Sequence, residues 1–302
     1  MTAVSKALKD SHDISEDTKR IVRKKALELG YVPLEVAQSK AKGASMTIGI
    51  LVDTLKSPFF GMAIELFIYK LAKKGYKTLI FPNVKQRVGK DLIKETLKNR
   101  VDGIVSFIEL DSDAYEAALL CETPILLFGR YSDFPRMSVV YSDDFQGGNL
   151  AAQYLVEQKN APRLCYVGVN EFECSKRRAD GFFDSAKKMG INDVLYVESS
   201  DLKEKIDQII KDEYHWIFCF DDQLAEYLLN LCDGNNLSIV GYNGTAKFYD
   251  FYHNIPSISA EYEEMVNASI DMLLREIGFA REGIAEVKKF SVSLTLPRKE
   301  TK

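Results

Sequence analysis

The chain has 302 residues, 46% of them hydrophobic and 28% charged, with a formal net charge of −4. That composition excludes a disordered chain, and the length favours two core-bearing units over one. No stretch approaches the roughly 20 uncharged apolar residues of a membrane span, and the opening MTAVSKALKD lacks the apolar core of a secretory signal, so a cytoplasmic protein is expected. Five cysteines, an odd number without close pairs or histidine-rich neighbours, argue against a disulfide framework and against a metal site.

The first 45 residues hold nine Lys/Arg against six acids, a surplus of three, so the remainder carries −7. A small basic segment before an acidic globule suits an appended module for a polyanion, although a plain lysine-rich surface helix gives the same charge. In chain order, Val4, Ala7 and Leu8 recur at helical spacing and predict a short first helix. Ser15 is a good N-cap for a second, with Glu16 and Asp17 where the helix dipole favours acids and Gly30 at its end. Pro33 is placed to open a third, over 34–42, that stops at Gly43.

From Met46 the texture changes. Continuous apolar runs at 48–52, 78–81, 103–107, 124–128, 164–167, 194–197, 216–220 and 239–242 predict strands. Amphipathic segments at 60–74, 90–98, 112–120, 147–158, 177–189, 202–211, 223–232 and 263–276 predict the helices between them. Such alternation means parallel sheets covered on both faces, here in two successive α/β halves. Ligands of open parallel sheets bind beyond the carboxyl ends of the strands, so the loops at 53–60, 129–136, 143–146, 169–178, 221–223 and 243–247 are the ones to inspect. They are rich in aromatics, carboxylates, arginines and an amide. That mixture suits a hydroxyl-bearing ligand with rings over its apolar face. An enzyme is disfavoured: His12, His215 and His253 stand in no motif, and no nucleophile elbow, P-loop or dinucleotide fingerprint occurs. No cofactor is expected.

At this level of detail the chain resembles the lactose-repressor (LacI/GalR) family of bacterial transcription regulators. TAVSKALKD resembles its recognition helix, DISEDTKRIVRKKALELGYVP the third helix of its DNA-binding headpiece, and VAQSKAKGASMTIGILV the hinge running into the first strand. SPFF, VDGIV, SDDFQGG, RRADGF, DDQLA, IVGYNGT and the closing LPRKET continue the likeness in the family's order. The resemblance implies an α/β, two-lobed periplasmic-binding-protein-like (type I) sensor with two parallel sheets, preceded by a partial all-α helix-turn-helix headpiece. The boundaries it suggests are 1–44 for headpiece and hinge and 45–302 for the sensor. The first lobe then takes about 46–145 with part of 261–280, and the second takes the middle and the C-terminal strand. It further implies a repressor whose sugar-like effector binds between the lobes of a homodimer and alters operator binding. The rival without DNA function is a sugar-binding solute receptor, which would leave the basic headpiece unexplained.

Carried over residue by residue, Thr2 and Lys6 read bases, and Ser5, Lys9 and Lys19 hold phosphates. Lys40 stands where the family has a hinge leucine that wedges into the minor groove; lysine can contact phosphate but makes a poor wedge. The chain begins at the recognition helix, so weak, salt-sensitive operator binding is expected of it. The effector would meet Phe59, Phe60, Asp143, Arg178, Asp221 and Asn243. Asn243 replaces a frequent aspartate and Asp221 a frequent asparagine. The residues alone leave other roles open: one of the two phenylalanines in the core, Asp143 and Asp221 as helix caps, Asn243 in a tight turn, and Arg178 paired on the surface with Asp180 or Asp184. Arg178 is expected to be an exposed crevice arginine that adds little to folding. Ile64, Phe67, Ile68 and Leu71 are expected to offer a dimer surface.

Overall fold

The computed structural model describes residues 44–83, 85, 87–158, 160–232, 237–245, 255–278 and 285–296, with positions 4, 7, 13–15, 17–19, 21, 22 and 25 of the N-terminal segment. Two six-stranded sheets organise it. In the first, β1 (Thr47–Val52), β2 (Lys77–Pro82), β3 (Gly103–Ser106), β4 (Ile125–Phe128), β5 (Ser138–Ser142) and β11 (Val287–Phe290) lie in the order β11-β5-β4-β3-β1-β2, parallel throughout. In the second, β6 (Leu164–Gly168), β7 (Val194–Glu198), β8 (Trp216–Cys219), β9 (Ser238–Tyr242), β10 (Ser257–Ser259) and β12 (Ser293–Thr295) lie in the order β12-β10-β9-β8-β6-β7, with only β12 antiparallel.

The eight predicted strands are present. β5, β10, β11 and β12 were not predicted, for a physical reason: they are three to five residues long and carry serines, lysines and a threonine among their apolar residues, so no continuous apolar run marks them. The predicted C-terminal strand is in fact two, one in each sheet. The helices are α1 (Pro58–Lys73), α2 (Lys90–Lys98), α3 (Ser112–Leu120), α4 (Asp144–Gln153), α5 (Glu173–Lys188), α6 (Leu202–Lys211), α7 (Asp222–Leu231) and α8 (Tyr262–Gly278). α8 belongs with α1 in the first lobe, tied by Lys70 to Glu263 at 2.7 Å and Lys74 to Asp271 at 3.4 Å. The described chain crosses between lobes three times: from β5 to α4, from β10 to α8, and from β11 to β12.

Each sheet is covered on both faces, as continuous apolar strands require: one apolar cluster runs through both lobes, and each lobe adds its own on the opposite face. Two glycines decide how α4 and α5 meet. A Cβ on Gly148 would stand 2.0 Å from the Arg178 carbonyl oxygen, and one on Gly181 would stand 2.0 Å from that of Phe145. Only bare backbone permits this approach, which sets the first turn of α4 against the middle of α5.

α1 buries Ile64, Phe67 and Leu71 in its own lobe, so of the four residues expected at a dimer surface only Ile68 remains exposed. Tyr69 on the same helix and Leu79 and Ile80 on the adjoining edge strand β2 are exposed as well. Ser15 caps as expected: its Oγ accepts from the Thr18 amide at 3.3 Å, and 17–19 are helical. Asp102, from the VDGIV motif, seats the entry to β1 by accepting from the Ser45 amide at 3.0 Å and the Met46 amide at 2.8 Å. Among the described residues no helix is long and apolar enough to cross a membrane, and none of the five cysteines is in a disulfide.

Candidate functional site

The strand-end loops of both lobes converge on a crevice of about 450 Å³. The first lobe supplies Asp53, Thr54, Ser57, Phe59, Phe60, Arg130 and Ser142, with Tyr262 and Met265 from α8; the second supplies Phe172, Arg178, Phe220, Asp221, Tyr227 and Asn243. Five of the six predicted ligand residues are therefore brought together.

Pro58 at the start of α1 directs the two following rings toward the strand ends. Phe60 is buried, with its ring edge-on to Phe107 at 5.5 Å, while Phe59 is half-buried and meets Phe128 and Tyr262 at 6.5 and 5.0 Å between centroids. One ring thus belongs to the core, and both line the crevice.

Arg178 differs from its expected character. It is 5% exposed, and its partner is Asp144, not Asp180 or Asp184: Nε donates to Oδ1 at 2.8 Å. Nη1 donates to the Phe220 carbonyl at 2.5 Å, and the guanidinium lies over the Tyr242 ring at 3.5 Å. Burial is the largest single influence and works against its charge, but Asp144, Tyr242, Cys174 and Tyr166 together outweigh that and raise its pKa well above the ordinary arginine value. The two residues are 34 positions apart, so only the α4/α5 crossing at Gly148 and Gly181 makes them neighbours. Asp144 is 2% exposed and also accepts the Tyr131 hydroxyl at 2.7 Å, joining a first-lobe loop to the second lobe's arginine.

Asp143 is a correction. It does not line the crevice; as N-cap of α4 its carboxylate turns back to accept from the Gln146 amide at 3.2 Å and pairs with Lys289 at 2.7 Å. It faces a separate pocket of about 260 Å³ that also includes Tyr131, Arg177 and Lys289. Of the two adjacent acids, the cap points outward and the first helical residue points in.

Asp221 is both cap and lining residue: Oδ1 accepts from the Leu224 amide at 2.7 Å, and burial raises its pKa above the usual carboxylate value. Its neighbour Asp222 is buried and structural, accepting from the Thr245 amide at 2.5 Å and the Ser257 hydroxyl at 2.5 Å. Asn243 has φ +87°, a left-handed turn position that asparagine tolerates, and its Oδ1 accepts from Tyr262 at 3.4 Å across the lobes. Arg130, Phe172 and Tyr227 escaped prediction; the first two lie in loops marked for inspection, but nothing in the sequence says which loop residues turn inward. Of the DNA contacts, Thr2, Ser5, Lys6, Lys9 and Lys40 lie outside the described residues. Lys19 is buried, which differs from the solvent-facing ammonium a phosphate contact requires.

Two doubly covered parallel sheets joined by three crossings, with a ring-lined polar crevice at their strand ends, define a two-lobed ligand-binding sensor. Residues 45–214 match the family described as periplasmic binding proteins and sugar binding domain of LacI family, and the chain belongs to the LacI/GalR family of ligand-responsive transcription regulators. The sucrose operon repressor of Lactococcus lactis subsp. lactis is 26% identical over 288 residues, covering 92% of this chain and 89% of that protein. The HTH-type transcriptional repressor PurR of Aliivibrio salmonicida is 24% identical over 300 residues, covering 91% and 88%. A LacI family transcriptional regulator from Enterococcus faecium, solved with bound ribose, shares the fold with a TM-score of 0.73 at 21% identity, over 84% of this chain and 100% of that one.

Proposed function

We propose that the crevice binds a sugar or sugar derivative and that its occupancy changes how a cytoplasmic homodimer, acting as a repressor, holds a pseudo-palindromic operator. The observation that carries this is the pairing of Phe59, Phe60 and Phe220 with Asp53, Arg178, Asp221 and Asn243 in one cavity: rings cover an apolar sugar face while carboxylates, an amide and a guanidinium meet hydroxyls. The relatives that are repressors, one of a sucrose operon, and the ribose-bound structure support the same reading. Residues 1–44 then form headpiece and hinge, with Thr2 and Lys6 at bases and Ser5, Lys9 and Lys40 at phosphates; Lys19 would have to emerge from its buried position to join them. The protein acts by binding and release, without catalysis.

Asp144 supplies a route between the crevice and the relative position of the lobes, because it holds both Arg178 and Tyr131 at the crossing from β5 to α4. The dimer face is proposed at Ile68 and Tyr69 of α1 with Leu79 and Ile80 of β2. A thermal-shift screen of sugars, sugar phosphates and purine bases tests the effector class: a sugar or its derivative is expected to raise the melting temperature and to change retention of operator DNA. Stabilisation by a purine base alone overturns the reading. Sedimentation is expected to show a dimer at micromolar concentration and a monomer for Ile68→Glu with Leu79→Glu.

A further inference from the structure

We propose that the crevice is built for a sugar that carries an anionic group, and that Arg130 seats that group; this rests on the sugar-effector reading above. Arg130 is 9% exposed and stands in the loop after β4. Its guanidinium lies between one ring from each lobe, 4.7 Å from the centroid of Phe172 and 5.6 Å from that of Phe60. Its protein partners are weak: Nη1 donates to the adjacent Gly129 carbonyl at 3.3 Å and approaches the Cys174 sulfur at 3.7 Å.

Among the described residues no carboxylate lies within ion-pair distance of Arg130, whereas Arg87, Arg163, Arg177, Arg178 and Arg275 each have one. Burial pushes the Cys174 thiol upward, so the sulfur beside the guanidinium stays uncharged and supplies no counter-ion. Nε and Nη2 have no hydrogen-bond partner among the described residues. No described side-chain nitrogen or oxygen is both sealed from solvent and unpartnered, so these two nitrogens open on the crevice that Arg130 lines.

A buried cation without a counter-charge is costly unless a ligand supplies one. Asp53 and Asp221 line the same cavity and are suited to accept from hydroxyls, so a neutral sugar would answer the acids and leave Arg130 unanswered. A phosphate or carboxylate on the sugar completes the set, because two adjacent donors of one planar fork match two oxygens of the anion. The rings on either side exclude water and strengthen that contact.

The test is titration calorimetry on the full chain with glucose, fructose and sucrose, each beside its 6-phosphate, and with glucuronate. For at least one sugar the anionic form is expected to bind at least about tenfold more tightly than its neutral parent, the size of one charge-assisted contact. The phosphate and glucuronate arms separate the two sources of negative charge. Arg130→Gln should collapse that ratio to within about twofold, and Arg130→Lys, which keeps the charge without the fork, should retain part of it. A neutral sugar that binds the unmodified chain as tightly as its anionic forms overturns the proposal and leaves the sugar reading intact. An undiminished ratio in Arg130→Gln, with that variant melting cooperatively, overturns the role of Arg130. Binding by none of these compounds removes the sugar reading and the proposal with it.

Discussion

The two walls of the crevice are held by different forces. On the first-lobe side Phe59 and Phe60 stand on a stack of rings that continues through Phe107, Phe128 and Phe67, so the wall is positioned by packing. On the second-lobe side Arg178, Asp221 and Asn243 are positioned by a buried ion pair, a helix cap and a left-handed turn, with Asp222 fixing the strand-end loops beneath them. A packed wall loses stability in a graded way, by the transfer free energy of the atoms removed plus a term for the cavity that its neighbours only partly fill. A wall of buried charges and hydrogen bonds fails at single atoms, because each deletion leaves a partner without an answer. The apolar wall therefore supplies shape and the polar wall supplies orientation.

The sharpest way to break this contrast is Asp144→Ala. It strands the Arg178 guanidinium without its carboxylate and leaves the Tyr131 hydroxyl without an acceptor, so urea denaturation of the ligand-free chain should show a loss of about 3–5 kcal/mol. Arg178→Ala should cost a similar amount and also abolish effector-induced stabilisation. A ligand-free stability within about 0.5 kcal/mol of the original would show that the arginine is anchored by something other than this pair.

The packed wall should respond in a graded way. Phe60→Ala, which empties a core position at the crevice edge, is expected to cost about 3 kcal/mol, while Phe59→Ala, half-buried, should cost about 1 kcal/mol. The order should reverse when the readout is the thermal shift produced by bound effector, because Phe59 offers more of its ring to the cavity. Equal stability losses for both would mean that the two rings share the core.

The smallest effect belongs to Asp221→Asn, which keeps a capping oxygen and removes the charge. Asp221 in the unfolded chain titrates near 3.8, and burial raises its pKa in the folded chain. Between those two values the folded state holds the extra proton, so the contribution of Asp221 to stability falls as pH rises through that window. The variant should therefore gain on the original chain as pH climbs from about 4, as denaturation midpoints across a pH series would show. A constant difference would mean that the carboxylate is solvated.

Much of the crevice was legible because its residues sit at positions that local rules mark. SPFF follows a fully apolar strand and carries a proline at a helix start, so both rings had to lie at a strand end. Asp221 heads a predicted helix, and Asn243 precedes a glycine after a buried strand. The error at Asp143 shows where local rules stop. Two neighbouring acids at one helix start are equivalent to any sequence pattern, and the choice between them was made by a chain segment 34 residues away.

By itself, then, the sequence determined the two α/β halves, the order of the strand-end loops and the residue types offered to a ligand, because apolar periodicity, caps and turn residues act over a few positions along the chain. Tertiary structure alone decided that Gly148 and Gly181 let α4 and α5 close on each other and that Asp144 answers Arg178. It also decided that three of four expected surface residues of α1 are core and that Arg130 is left inside with no carboxylate of the described residues within ion-pair distance. Those outcomes depend on which distant segments come within a few ångströms, and charge pairing and desolvation are settled only at that range.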